Sequence, residues 1–229
     1  DNLLARIMLA DVATLRGASA QARKILSDVQ AAHAPLSPRE QGRWGWSLAL
    51  SYMIEEDFAP AWDAAEKAAA AVRAGGTGND DLIVLLAMLE LLGRAESDDI
   101  DGAAQLGARV LVQSVSEGLR EYVISLYRGV VAALAGDARA AEPLLAEAFA
   151  YLQEHADHVM ACIAGRYLSM VHVALGQPVR AIEIASHVVQ VASGAELASF
   201  VPHGRAALAE ALWAAGRVDD ARVAAELAL

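Results

Sequence analysis

Apolar residues along this chain recur at intervals of three and four, the spacing of one face of an α-helix. They also recur on a longer beat. The phrase ALAGDARAAEPLLAEA at 133–148 returns as ALGQPVRAIEIASHVV at 174–189 and as AAGRVDDARVAAELAL at 214–229. The beat is marked by Ala22, Ala61, Ala103, Ala141, Ala181 and Ala221, at intervals of 39, 42, 38, 40 and 40 residues. Four and seven residues beyond each alanine stand Leu26 and Val29, Ala65 and Ala68, Gly107 and Val110, Leu145 and Ala148, Ala185 and Val188, and Ala225 and Ala228. That spacing puts all three on one helical stripe.

Five residues before the alanines stand Gly17, Glu56, Asp98, Gly136, Gly176 and Gly216. A glycine there suits a helix end that turns through positive φ. Pro178 follows in the first turn of the next helix, where its missing N–H costs nothing. A small residue precedes the turn by seven positions: Ala10, Ala49, Gly129, Ser169 and Ala209. Repeat three needs a loop about four residues longer to bring Ala87 into this register. Next to the small residues stand Leu9, Leu48, Leu86, Arg128, Leu168 and Leu208, in most repeats a large anchor beside a small residue, as two closely crossing helices require. The pattern predicts six helical hairpins at 2–33, 38–74, 79–114, 117–155, 157–193 and 197–229.

One such hairpin cannot bury its apolar face alone, whereas stacked neighbours can. The expected fold is all-α, a right-handed superhelix of about six hairpins spanning 1–229 as one repeat domain. The chain opens and closes inside helical patterns, as an excised piece of a longer protein does.

Composition agrees. Hydrophobic residues make up 56% of the 229 positions, alanine alone supplies 52, and there are 6 prolines. Alanine is the best helix former and lets helices approach closely. No run of apolar residues is long enough for a membrane span, and no export leader is legible. Cys162 is the lone cysteine, which excludes an intramolecular disulfide framework and suits a reducing cytoplasm. The net charge of −11, with no basic run, argues against direct contact with nucleic acid.

The combination of L-[A/G/S] in the first helix, glycine at the turn and A-x3-[L/A]-x2-[V/A] in the second resembles the tetratricopeptide repeat. The clearest copies are 46–68, 169–189 and 206–228. The period near 40 exceeds the usual ~34 of that repeat. Only Tyr52 supplies the first-helix aromatic, where other copies hold Ala13, Ala132, His172 and Leu212. Longer alanine-rich repeats of this kind are similar to those of MalT-like, LuxR-type bacterial transcription regulators. The resemblance implies a non-catalytic sensor segment whose groove receives a small-molecule inducer or a protein partner. The alternative is a repeat scaffold that assembles a signalling complex. No P-loop motif, G-x-x-x-x-G-K-[ST], occurs, and no cofactor is called for.

First helices line the concave side of such a fold. The register turns Asp11, Arg43, Trp46, Leu50, Met53, Leu126, Val130, Arg166, Met170, His203, Glu210 and Trp213 away from the second-helix seam. The groove is expected at Arg43, Trp46, Leu50, Arg166, Met170, His203, Glu210 and Trp213. Arginine would clamp a carboxylate or phosphate there, and tryptophan would offer a stacking plane. The competing role for Leu50, Met53, Leu126 and Val130 is packing between hairpins. EHADH, with His155 and His158, reads as a joint rather than a metal site. AGGTGND at 74–80 reads as a joint rather than a phosphate cradle, having no lysine and no preceding strand. Cys162 reads as a buried thiol, and Ser114, Ser116, Ser125 and Ser169 lack a nucleophile context.

Overall fold

The computed structural model describes residues 3–33, 35–76, 80–110 and 117–229. Ser114, Ser116 and residues 77–79 of the glycine-rich joint lie outside the described residues, as does the side chain of Val110. Among the described residues there are twelve α-helices and no strand. They pair as α1 (Leu3–Leu15) with α2 (Ser19–His33), α3 (Pro38–Met53) with α4 (Phe58–Ala74) and α5 (Asp80–Glu96) with α6 (Ile100–Val110). The later pairs are α7 (Glu117–Leu134) with α8 (Ala138–Glu154), α9 (His158–Ala174) with α10 (Pro178–Gly194), and α11 (Phe200–Ala214) with α12 (Val218–Glu226). The fold is all-α and built of repeated hairpins. The chain divides into two compact units, Asp1–Leu119 and Arg120–Leu229.

Every hairpin closes through the same backbone device. Gly17, Glu56, Asp98, Gly136, Gly176 and Gly216 all have positive φ, between 58° and 82°. At each, the residue after the turn donates its N–H to the carbonyl five residues back, as in Asp57 to Tyr52, Asp99 to Arg94 and Gln177 to His172. The turn residue itself donates to the carbonyl three back, as in Gly176 to Val173. Both bonds together are the Schellman helix ending, which satisfies carbonyls the helix leaves orphaned. The acceptor of the next helix then starts at once. Asp137 Oδ1 takes the Ala140 N–H at 3.1 Å and Asp99 Oδ1 takes the Gly102 N–H at 3.0 Å.

The recurring alanines are buried in all six hairpins. Their hairpin partners trade volume. In the fourth hairpin a Cβ on Gly129 would meet Leu145 Cγ at 2.7 Å, so glycine faces leucine. In the third the order is reversed: Gly107 faces Leu91, whose Cδ1 would lie 3.5 Å from an added Cβ. In the fifth, Ser169 Oγ crosses the same seam and donates to the Ala181 carbonyl at 3.0 Å. Close packing tolerates either arrangement, provided the summed volume is kept.

Two expectations need correction. The third hairpin has no longer loop. Its turn at Asp98 is like the others, and Leu91 rather than Ala87 holds the position facing the second helix. Gly107 supplies the missing room, so the small residue sits on the opposite helix. Leu9 and Arg128 are exposed and anchor nothing, whereas Leu86 and Leu168 are buried. In the last hairpin Ala225 is exposed, although its equivalents Leu26, Ala65, Leu145 and Ala185 are buried.

Candidate functional site

The expected groove residues fall in both compact units. In the first unit, Leu50 is only 6% exposed and lies inside the cluster formed by Ala49, Ala65, Val72, Leu86 and Leu89. It therefore packs the core and lines no open groove, because the alanines of α4 let α3 settle directly onto that helix. Trp46 and Met53 are half-buried against the same cluster. Arg43 lies 3.8 Å from Asp11 across the α1–α3 seam and is thus engaged within the unit. Asp11 is mostly buried there. Burial pushes its carboxyl above the usual range, against the opposing pull of a Ser47 hydrogen bond and the Arg43 charge. Its Oδ1 and the nearby Thr14 hydroxyl are buried without a hydrogen-bond partner.

In the second unit, Leu126 and Val130 are buried, Met170 and His203 are half-buried, and the Arg166 guanidinium lies 5.6 Å from the Tyr167 ring centre. Glu210 and Trp213 do come together. They border a surface groove of about 660 Å³ between α11 and α12, floored by Ala209, Ala221 and Ala225 and closed at one side by Val173 and Val218. Trp213 is 67% exposed at its edge. The groove is almost wholly apolar.

The first unit holds a different cavity, of about 470 Å³, that the sequence reading missed. Its α3 wall is the stripe Gln41, Trp44, Leu48 and Tyr52, at helical spacings of three and four. Trp44 stands two residues from Trp46, about 200° around the helix and so on nearly the opposite side. The hollow exists because the α4 residues facing Trp44 are small, Pro60, Ala64, Ala68 and Ala71, while Asp63 and Lys67 of the same helix stand at its rim. Pro35 and Leu36 close one end. Ser37 fixes that approach through a capping box, accepting the Glu40 N–H while its own N–H is bound by Glu40 Oε2 at 2.8 Å. The Trp44 Nε1–H is already used, donating to the Leu26 carbonyl at 2.9 Å, so the indole offers its face rather than its edge. Polar groups reach the rim from Gln30, Gln41, Tyr52, Asp63 and Lys67, the last two paired at 2.6 Å. Arg23 stacks over the Tyr52 ring at 4.9 Å and holds Glu55 at 2.8 Å.

A second feature went unread. Arg94 binds Glu90 at 3.0 Å, Asp99 at 2.9 Å and Glu66 at 3.6 Å, and lies 4.9 Å from the Trp62 ring centre. Glu90 is 4% exposed. Partial burial works against the guanidinium charge, but the hydrogen bonds that Arg94 donates to Asp99 and Glu90 outweigh it and raise its pKa. The signal was present as Glu90 and Arg94 four apart. A longer third loop would have put Arg94 out of register with Tyr52, and the true turn aligns them.

Burial pushes the Cys162 thiol up to about 12, so it carries no thiolate at neutral pH. Ser125 donates to Glu147 at 2.8 Å and Ser169 to the Ala181 carbonyl at 3.0 Å. His155 stacks on Tyr151 at 3.9 Å and its ring also bonds the Tyr151 carbonyl. Among the described residues no group of His, Cys, Asp or Glu has metal-ligand geometry. No helix among them is long and apolar enough to cross a membrane.

A fold of paired helices repeated along the chain is shared with solved proteins. One is BtubC (BKLC) from P. vanneervenii, which aligns over all of this chain and 90% of its own, with a TM-score of 0.56 at 16% identity. At that identity the likeness is one of fold. No family model matches the sequence, and no curated protein does.

Proposed function

We propose that this chain is a non-catalytic binding segment, and that the cavity walled by Trp44, Leu48 and Tyr52 receives a small ligand with a flat apolar body and a polar edge. The supporting observation is the cavity itself. Its volume of about 470 Å³ lies in the range of small-molecule sites, and it joins an apolar floor to a few polar groups. The Trp44 face would stack the flat part, the Gln30 and Gln41 amides would read its edge, and Lys67 would meet an acidic group. In this reading the segment serves as the sensor of a MalT-like, LuxR-type cytoplasmic regulator, as its repeats resemble. Ligand binding would bias a switch elsewhere in the protein, while this acidic segment leaves nucleic acid to other parts.

The test is a thermal-shift screen of metabolites and nucleotides on this chain. A binder present at 100 times its Kd stabilises the folded state by about 2.7 kcal/mol. Ala71→Trp, which fills the cavity from its half-buried wall, should abolish that shift. A binder whose shift survives this substitution would move the site elsewhere. A P-loop module and a helix-turn-helix encoded in the same reading frame would support the regulator; their absence would favour a scaffold.

The scaffold reading rests on a separate observation, the apolar groove between α11 and α12. It suits a protein helix better than a polar metabolite.

A further inference from the structure

The cavity beside Trp44 is a departure from the repeat, and the departure indicates the shape that fits it. Eight residues beyond the positive-φ turn, four hairpins carry a large aliphatic side chain: Ile25, Leu106, Leu144 and Ile184. The second hairpin has Ala64 at that place and the sixth has Ala224. Fifteen residues beyond the turn, where the first and second hairpins have Ala32 and Ala71, the fourth and fifth carry Tyr151 and Val191. Tyr151 stacks on Tyr122 of α7, with ring centres 5.3 Å apart. A ring of α8 thus lies on a ring of the first helix of its own hairpin. In the second hairpin α3 supplies the ring of Trp44, and α4 faces it with alanines. A flat ring is what completes that stack.

The charged groups at the rim define the other end of the occupant. Asp63 and Lys67 stand one helical turn apart on α4, 2.6 Å from each other and both exposed. An exposed pair of this kind is worth little and opens at little cost. A bare carboxylate would take Lys67, leave Asp63 unbalanced and meet the repulsion of a chain of −11. A bare amine would take Asp63 and leave Lys67 unbalanced. A neutral molecule with both charges engages both groups, carboxylate on Lys67 and ammonium on Asp63. The two rim groups touch, so the matching charges must be neighbours too. An α-amino acid carries them on one carbon, whereas the ends of a dipeptide stand a further residue apart.

We propose that the cavity takes a free aromatic α-amino acid, its ring on the Trp44 face against Ala64, Ala68 and Ala71, its zwitterionic end on Asp63 and Lys67. The proposal rests on the small-ligand reading above and narrows it to one chemical class.

The sequence provides an internal reference for the test, because Lys24 is its one other lysine. Lys24 pairs with Asp28 at 3.0 Å, is 76% exposed against 75% for Lys67, and is not part of the cavity wall. L-Tryptophan, L-tyrosine and L-phenylalanine are titrated calorimetrically into the whole chain. The tightest binder is compared with its decarboxylated amine and its deaminated acid. The rates at which an N-hydroxysuccinimide ester acetylates Lys67 and Lys24 are followed by mass spectrometry. The amino acid should bind about tenfold more tightly than either analogue, the order of one charge-assisted hydrogen bond. At saturation it should slow acetylation of Lys67 several-fold relative to Lys24. Lys67→Met should erase the preference over the amine, and Asp63→Asn the preference over the acid, with circular dichroism confirming that each variant folds. An analogue that binds as tightly as the amino acid, and is lost in Ala71→Trp, overturns the proposal while the cavity reading stands. Equal acetylation of the two lysines at saturation overturns it as well, and so does the absence of binding by all three amino acids. Amino-acid binding that survives Ala71→Trp overturns both.

Discussion

The two compact units solve one backbone problem in two ways. In the second unit all three hairpin turns are glycine, at 136, 176 and 216. In the first, Glu56 and Asp98 occupy the same turn with φ of 58° and 68°. Left-handed backbone strains any residue with a Cβ, and it strains glutamate more than aspartate. The first unit offsets this with side chains that reach across the turn. Arg94 binds Asp99, and Arg23 binds both Glu55 and the Ser51 carbonyl. In the second unit the hairpin turns are glycine, and the positive-φ residues that carry a Cβ, Ala156 and Glu196 at 54° and 56°, stand in the joints between hairpins. The first is thus held by specific side chains, and it is also the unit with a mixed polar and apolar cavity. In the second, the groove between α11 and α12 is almost free of polar groups.

The largest effect should come from removing a brace. Arg94→Ala leaves Glu90 buried without its cation, and loss of one member of a buried pair costs about 3 kcal/mol. Denaturant titration should show that loss. An unchanged midpoint would mean that the Arg94 cluster does not brace the first unit.

Packing in the second unit is tested by Ala181→Phe. Ala181 is fully buried and its carbonyl accepts the Ser169 hydroxyl, so overpacking should cost about 1–3 kcal/mol. An unaltered melting temperature would contradict the register.

The turns themselves provide a smaller, paired effect. Glu56→Gly should stabilise the chain, and Gly176→Ala should destabilise it, each by about 0.5–1 kcal/mol. An added Cβ at Gly176 meets nothing within 4 Å, so the cost there is backbone conformation alone. Equal and neutral results in calorimetry would remove the contrast between the units.

The smallest effect is one of pH. The Asp11 carboxyl is raised in the folded state, mainly by burial, so the folded chain holds a proton that the unfolded chain has released just above pH 3.8. Stability from this group therefore falls as pH rises through that window. Asp11→Asn removes the charge whose burial is unfavourable, so it should stabilise slightly at neutral pH and flatten that part of the profile. A profile parallel to wild type in the acid range would show that Asp11 is not the group responsible.

The repeat was legible because it rests on volume and backbone sign. The six buried alanines and six positive-φ turns are each marked by a residue at a fixed interval. The third hairpin misled because only one side of its seam was read. Leu91 looks out of place until Gly107 on the opposite helix is counted with it. The cavity was illegible for a related reason. It arises where Pro60, Ala64, Ala68 and Ala71 fail to fill the space beside Trp44, and a hollow left by small residues has no motif. Arg43 and Trp46 were read as recognition residues by type, but Asp11 and the core cluster already engage them.

The central claim is that one hairpin geometry is repeated, with volume traded across its seam. The most direct measurement is a double-mutant cycle in the fourth hairpin that installs the third hairpin's arrangement: Gly129→Leu, Leu145→Gly and both together. Gly129→Leu alone should overpack by about 1–3 kcal/mol. Leu145→Gly alone should open a cavity costing about 2–5 kcal/mol. The double variant should recover most of both losses, since the residues face each other across the seam and their effects are coupled. A double variant as unstable as the sum of the two singles would contradict the claim.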